Sequence, residues 1–230
     1  MPEDSVARLL ESAACLLSNV SQSPKLDAAI LLAHACGLSR ENLTARSKEV
    51  LPAACVASFR SLQKRRLAGE PVAYLVGRRE FWSLDLEVSQ QVLIPRPETE
   101  TLVEKALALI REMPGPLEIL DLGTGSACIA LALASEAVKV RDNFRIRAAD
   151  ISAGALQVAR RNISRHNLLR KIELVESDWF SAFRAGEDIF DLIVCNPPYV
   201  ADNDLRVSRE TAFEPPLALY SGPHGLNAVR

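Results

Sequence analysis

Apolar residues recur at two spacings along this chain, and the change from one to the other divides it. Up to about residue 69 the spacing is helical, with no strand pattern. Val6, Leu9, Leu10, Ala13, Ala14 and Leu17 form one stripe. Leu26, Ala29, Ile30, Leu31 and Ala33 form a second, opened by Ser23-Pro24 and closed by Gly37, and Val56, Phe59 and Leu62 form a third after Pro52. This predicts a small helical bundle. Within residues 81–94 the pattern alternates through Leu84, Leu86 and Val88 and closes on Val92-Leu93-Ile94, which predicts a β-hairpin in that stretch. Residues 98–113 return to helical spacing. Four short apolar runs follow, at 117–122, 145–149, 172–175 and 189–195, with a helical stretch at 128–134 after the first. Strands alternating with helices predict an α/β domain around a parallel sheet.

Each of the four runs ends on groups that can bind or react. The first runs into Gly123-Thr124-Gly125-Ser126 and then a helix, the order of a nucleotide-type site. Glycines there let the backbone approach a ligand, and a helix N-terminus offers free N–H groups. The third small position is Ala127, followed by Cys128, so the full G-x-G-x-x-G fingerprint is absent. Asp150 closes the second run, where a carboxylate can accept from two ribose hydroxyls; it could equally be a turn or N-cap residue before Ile151-Ser152. Asp178-Trp179 follow the third run, pairing a carboxylate with a flat ring. After the fourth comes Asn196-Pro197-Pro198-Tyr199. An Asn carboxamide offers an acceptor and a donor on one plane, while Pro197 has a carbonyl and no N–H. Tyr199 adds an aromatic face for a flat group or a nearby cation. Alone, these four residues also read as a strand end running into a short polyproline stretch. Four strand ends delivering such groups to one rim point instead to group transfer from a positively charged donor to a planar nitrogen.

These motifs resemble those of the HemK family of protein glutamine-N5 methyltransferases. The matching residues are Pro71, Tyr74, Leu75 and Gly77; Glu80-Phe81; Val92-Leu93-Ile94-Pro95-Arg96-Pro97-Glu98-Thr99-Glu100; Asp121 with the glycine turn; Asn196-Pro197-Pro198-Tyr199; and Glu214-Pro215 with Ala218-Leu219. Asn-Pro-Pro-Tyr also occurs in adenine-N6 DNA methylases and in some RNA guanine methylases, so the Pro95–Glu100 segment is what narrows the family. The resemblance implies methyl transfer from S-adenosyl-L-methionine to the glutamine amide nitrogen of the Gly-Gly-Gln loop in peptide-chain release factors. A relative acting on a ribosomal protein shares the same apparatus. Asn196, Pro197, Pro198 and Tyr199 are the implied catalytic residues. Gly123, Thr124, Gly125, Ser126 and Ala127 would wrap the methionine end of the cofactor, Asp150 the ribose, and Asp178 with Trp179 the adenine. Arg96 and Thr99 belong to the family motif beside this pocket, with no role assigned.

The implied fold is a Rossmann-like methyltransferase sheet preceded by an all-helical bundle and a hairpin linker. Residues 1–70 form the bundle, expected to recognise the substrate; residues 71–95 form the linker; and residues 96–230 form the methyltransferase domain. The family sheet has seven strands. Three further strands and two helices with their connections need roughly 55 residues, more than follow Tyr199, so the domain is expected to be C-terminally incomplete. Ala127 stands where the family usually carries glycine, which is tolerable if φ there stays negative. His224 stands where an acidic residue is commoner, and reads as an exposed turn residue.

Composition narrows the remaining options. With 48% hydrophobic residues, 24% charged and a formal net charge of -2, the chain can bury a sizeable core and has no polyanion-binding excess of cations. A stable nucleic-acid partner is therefore not expected, and a monomer is. Charges interrupt every apolar stretch before membrane-spanning length, and Asp4, Arg8 and Glu11 lie within the first stripe, so a cytoplasmic enzyme off the membrane is expected. Five scattered cysteines without a C-x-x-C pair predict reduced thiols, neither disulfides nor a metal site. Lys64-Arg65-Arg66 reads as favourable charge at a helix C-terminus.

Overall fold

A computed structural model describes Pro2 and residues 4–230. Two compact units divide at Gly77, Met1–Gly77 and Arg78–Arg230. The first is helical: α1 (Val6–Leu17), α2 (Pro24–Cys36), α3 (Arg40–Ala45), α4 (Ala53–Leu67) and α5 (Val72–Val76). The first and third stripes read from the sequence supply its core, with Val6, Leu17 and Phe59 almost fully buried, but the second is corrected: Leu26 is 44% exposed and α2 turns Ala28, Leu31, Leu32 and Ala33 inward instead. Pro24 opens α2 at a position where its missing N–H costs nothing, and Gly37 closes it in the left-handed region at φ 64. The short helix α3 has no apolar stripe to announce it; Ser39 caps it by accepting from the Asn42 N–H at 3.2 Å. The basic cluster is more than solvated charge. Arg66 is 3% exposed and donates to Asp27 at 2.9 Å and to the Val20 carbonyl at 3.3 Å, tying α4 to α2. Arg65 is held by Glu70.

The second unit opens on a hairpin, β1 (Arg78–Phe81) and β2 (Leu84–Glu87), paired antiparallel from Arg78↔Glu87 to Phe81↔Leu84. It lies earlier than the alternation suggested. Trp82 and Ser83 make the two-residue turn with φ 52 and 58, the double left-handed geometry that suits the twist of paired strands. Val92-Leu93-Ile94 is therefore no strand: Val92 and Ile94 are buried, but in an irregular segment that follows the hairpin.

A short 3₁₀ turn at Pro97–Thr99 leads into α6 (Glu100–Glu112), and then β3 (Leu117–Leu122), α7 (Cys128–Ala137), β4 (Phe144–Asp150), α8 (Ala153–Arg165), β5 (Ile172–Glu176) and β6 (Leu192–Cys195) alternate. The four strands form one parallel sheet in the order β5-β4-β3-β6. The core lies between sheet and helices, with Val103, Ile110, Ile119, Leu131, Leu133, Ile146 and Ile163 buried to within a few per cent. α7 is apolar nearly all round, which its interior position requires. The last strand is shorter than its apolar run. Ile189 is 72% exposed, Phe190 packs edge-on against Phe183 with centroids 5.3 Å apart, and Asp191 pairs with Glu118 backbone before the ladder begins.

Chain order builds a reversal into this sheet. β3 to β4 to β5 proceeds outward on one side, and β6 then returns to the other side of β3. Connections leaving β3 and β6 diverge, so a crevice opens at their carboxyl ends, where open α/β sheets bind ligands.

Candidate active site

Register places the functional strand ends at one level. Leu122 aligns with Ala149 on β4 and with Cys195 on β6, so the next residues, Gly123, Asp150 and Asn196, share a row across the rim. A cavity of about 440 Å³ opens there, within the range of small-molecule sites. Gly123 to Ser126 with Cys128 and Ile129 form its floor; Asp150, Ser152 and Ala155 one side; and Ser177, Asp178 and Trp179 the next. Asn196 and Pro198 complete the strand-derived walls.

The floor is a sharp turn between β3 and α7. Gly123 and Gly125 take φ 71 and 54, which glycine adopts freely. Ala127 takes φ 64, so the negative φ expected for it is not what the turn requires; its methyl is fully buried in the core beneath. The N–H groups of Gly123 and Thr124 both donate to the Ala149 carbonyl at 2.9 Å, which fastens the turn to β4. Asp150 accepts from the Gly125 N–H at 2.8 Å and from the Ser152 N–H at 2.9 Å. Both the ligand reading and the turn reading of Asp150 thus have a footing, because each carboxylate oxygen retains a lone pair after its backbone bond. Ser126 Oγ is buried in the cavity floor without a hydrogen-bond partner. An orphaned polar atom of that kind fits a polar ligand that completes it.

Beneath the turn lies Asp121, fully buried. The Thr124 hydroxyl donates to its Oδ2 at 2.7 Å, while Oδ1 has no hydrogen-bond partner. Burial pushes this carboxyl up to about 6, with the nearby Asp150 charge adding to the rise. Burial likewise pushes the Cys128 thiol up to about 12 and the Cys195 thiol up to about 11, so both are neutral at pH 7.

Asn196 stands at the end of β6 with its Nδ2 3.5 Å from the Thr99 hydroxyl, and its carbonyl oxygen keeps its acceptor capacity. Thr99, whose role the motif left open, thus stands within hydrogen-bond reach of the carboxamide. Arg96, equally unassigned, lines the cavity while paired to Glu214. The Glu214 side chain is fully buried and accepts from Arg96 and, at 3.1 Å, from the Ile94 N–H. Pro197 and Tyr199 are not among the lining residues, and Tyr199 is 66% exposed.

Two walls contain residues to which the sequence assigned no role in the site. Gln91, Val92, Leu93 and Pro95 close one side, and Pro215, Leu217, Ala218, Tyr220 and Ser221 another. The second returns to the rim because Val200 and Tyr220 form an isolated parallel bridge, with Val200 N–H donating to the Leu219 carbonyl and Ser221 N–H to the Val200 carbonyl, both at 2.9 Å. Gly225 packs there as well: a Cβ would lie 2.3 Å from the Tyr199 carbonyl oxygen. Pairing across such distances leaves no periodic signal. Glu214 was visible only as a motif residue.

A family model described as the PrmC N-terminal domain matches residues 8–77, and one described as the Methyltransferase small domain matches residues 103–213. The chain is 45% identical over 218 residues to the release factor glutamine methyltransferase of Xylella fastidiosa strain 9a5c, covering 94% of this chain and 76% of that protein. It belongs to the release factor glutamine methyltransferases. The Escherichia coli K12 protein of the same name is also 45% identical, over 207 residues, 90% of this chain and 72% of that one. Among solved structures, the catalytic domain of hMettl16 in complex with a MAT2A 3'UTR hairpin aligns with a TM-score of 0.50 at 17% identity, covering 73% of this chain and 59% of that one. That likeness is one of fold. The parallel sheet read from the strand pattern and the methyltransferase fold implied by the resemblance are thus both present, and among the described residues no helix is long and apolar enough to cross a membrane.

Proposed function

We propose that this methyltransferase transfers a methyl group from S-adenosyl-L-methionine to the side-chain amide nitrogen of the glutamine in the Gly-Gly-Gln motif of peptide-chain release factors, acting as a monomer in the cytoplasm. One observation carries the reading: a carboxamide, Asn196, stands at the rim of a glycine-floored cavity with its carbonyl oxygen uncommitted. The relatives named for this reaction support the same choice of substrate.

The cofactor supplies an electrophilic methyl group on a cationic sulfur. The chain's own residues must hold it and shape the acceptor. The floor from Gly123 to Ala127, including the unpartnered Ser126 hydroxyl, suits the methionine end; the spare lone pairs of Asp150 suit the ribose; Asp178 and Trp179 suit the adenine. An amide nitrogen is a poor nucleophile because its lone pair is delocalised into the carbonyl. Asn196 Oδ1 and the Pro197 carbonyl would accept its two protons and draw electron density onto nitrogen, while the exposed Tyr199 ring packs on the amide plane. The catalytic contribution is positioning and electrostatic complementarity. No separate base is required, because the nitrogen becomes acidic once methylated and water can take the proton.

The helical unit, which carries none of these groups, would supply recognition of the protein substrate. Mass spectrometry of a release factor's Gly-Gly-Gln peptide after incubation with enzyme and cofactor tests the whole reading. A mass increase of one methyl group on the glutamine is the expected result. Methylation of a ribosomal protein or of RNA in side-by-side incubations, with the release factor untouched, would refute it.

A further inference from the structure

Asn162 is a polar residue on the core-facing side of α8, among Ala155, Val158, Ala159 and Ile163, and it is fully buried. Its carboxamide makes three hydrogen bonds, none within its own helix. Oδ1 accepts from the Glu87 N–H at 2.7 Å, while Nδ2 donates to the Glu87 carbonyl at 2.9 Å and to the Ser126 carbonyl at 3.0 Å. Glu87 ends β2, and the residues that follow it lead into the Gln91–Arg96 wall of the cavity; Ser126 belongs to its floor. One side chain therefore ties two walls together.

Its bond to Ser126 has a specific consequence for the next residue. The peptide plane between Ser126 and Ala127 is pinned on both edges: Asn162 takes the carbonyl, and the Ala127 N–H donates to the Thr124 carbonyl at 2.8 Å. Rotation of that plane is rotation about φ of Ala127, which stands at 64°, where an L-residue is strained. Released from Asn162, the turn would relax toward negative φ and carry the carbonyls and N–H groups of the floor with it.

We propose that Asn162 is a positioning residue for cofactor binding, holding Ala127 in the left-handed conformation that the cavity floor requires. The inference rests on the reading of this cavity as the S-adenosylmethionine site, and its test separates the two. Calorimetry with S-adenosylhomocysteine and thermal melting would be run on the full chain and on Asn162→Asp, Ala127→Gly, the double variant and Ile163→Val. Asn162→Asp sets a carboxylate against the Glu87 and Ser126 carbonyls. It removes both Nδ2 bonds and should weaken binding roughly tenfold or more, the scale of buried hydrogen bonds lost and a repulsion gained. Ala127→Gly alone is the reference against which the double variant is read, because glycine needs no restraint to hold this conformation.

The deciding result is the double variant, because glycine adopts φ near 64° without restraint and should restore most of the lost affinity. Ile163→Val loosens the same helix and should lower the melting temperature with unchanged affinity. Should Asn162→Asp fail to fold, Asn162→Ser removes all three bonds without adding charge and takes its place. Normal affinity in the Asn162 variant despite a lower melting temperature, or no rescue by Ala127→Gly, would overturn the proposal. If the parent chain itself does not bind, the cofactor reading fails and this inference with it; parent binding without rescue refutes the inference alone.

Discussion

Asp121 makes the stability of the catalytic unit pH-dependent in a direction opposite to that of an ordinary carboxylate. Its side chain is fully buried, one oxygen takes the Thr124 hydroxyl, and the other has no hydrogen-bond partner. Charging it therefore strips hydration that little replaces, and its carboxyl rises from 3.8 to about 6. The folded state holds the proton more tightly than the unfolded chain. This group's contribution is thus fully favourable below pH ~4 and is lost as pH climbs through ~6. A difference of about two units, at about 1.4 kcal/mol per unit, makes the swing about 3 kcal/mol. Asn in place of Asp keeps an acceptor for Thr124 and removes the charge. Both tryptophans, Trp82 and Trp179, lie in the second unit, so their fluorescence during urea unfolding reports on it specifically. Relative to the parent, Asp121→Asn should gain about 3 kcal/mol between pH ~4 and ~7.5, whatever the absolute stabilities at either end. A stability difference between the two chains that stays constant across that range would show that Asp121 does not titrate there and would refute the argument from burial.

If the carboxamide acts on the substrate amide as proposed, replacing Asn196 by Ala should lower turnover ~10²- to 10³-fold while cofactor affinity largely survives; a near-normal rate removes it from the mechanism. Asp150→Ala should do the reverse, weakening cofactor binding in calorimetry, since it loses the proposed ribose acceptor and frees the Gly125 N–H; unchanged binding counts against that role. Glu214→Ala should destabilise the second unit by about 2 kcal/mol by leaving the Ile94 N–H and part of the Arg96 charge unpaired, while Glu214→Gln keeps an acceptor and loses less; equal urea midpoints for the two would contradict this. Deleting the helical unit should raise KM for intact release factor far more than for a short Gly-Gly-Gln peptide, and equal effects on both would make that unit a structural support.

Local pattern carried most of the element order. The helical stripes, the four strands and the glycine turn are short-range signals, because side chains three, four or two positions apart share a face whatever the rest of the chain does. The strand ends that reach the rim were legible for the same reason: residues that stop a strand must stand at its end. Three things were not legible. The hairpin was displaced, because alternation marks a buried face without naming the partner strand, and that partner was Arg78–Phe81. The return of residues 215–221 over the rim and the Glu214 pairing with Arg96, 118 positions away, depend on contacts with no periodicity.

Ala127 shows the limit most directly. Composition alone favours negative φ for an alanine, yet the fold holds it at 64° through a carbonyl gripped by Asn162, itself bonded to Glu87 at a separation of 75 residues. Which groups stand at the strand ends is a property of neighbouring residues, and the chain encodes it locally. How far apart those groups sit, which of their lone pairs stay free, and which strained turn is held open are set by side chains brought together across the sheet, and only the packed tertiary structure decides them.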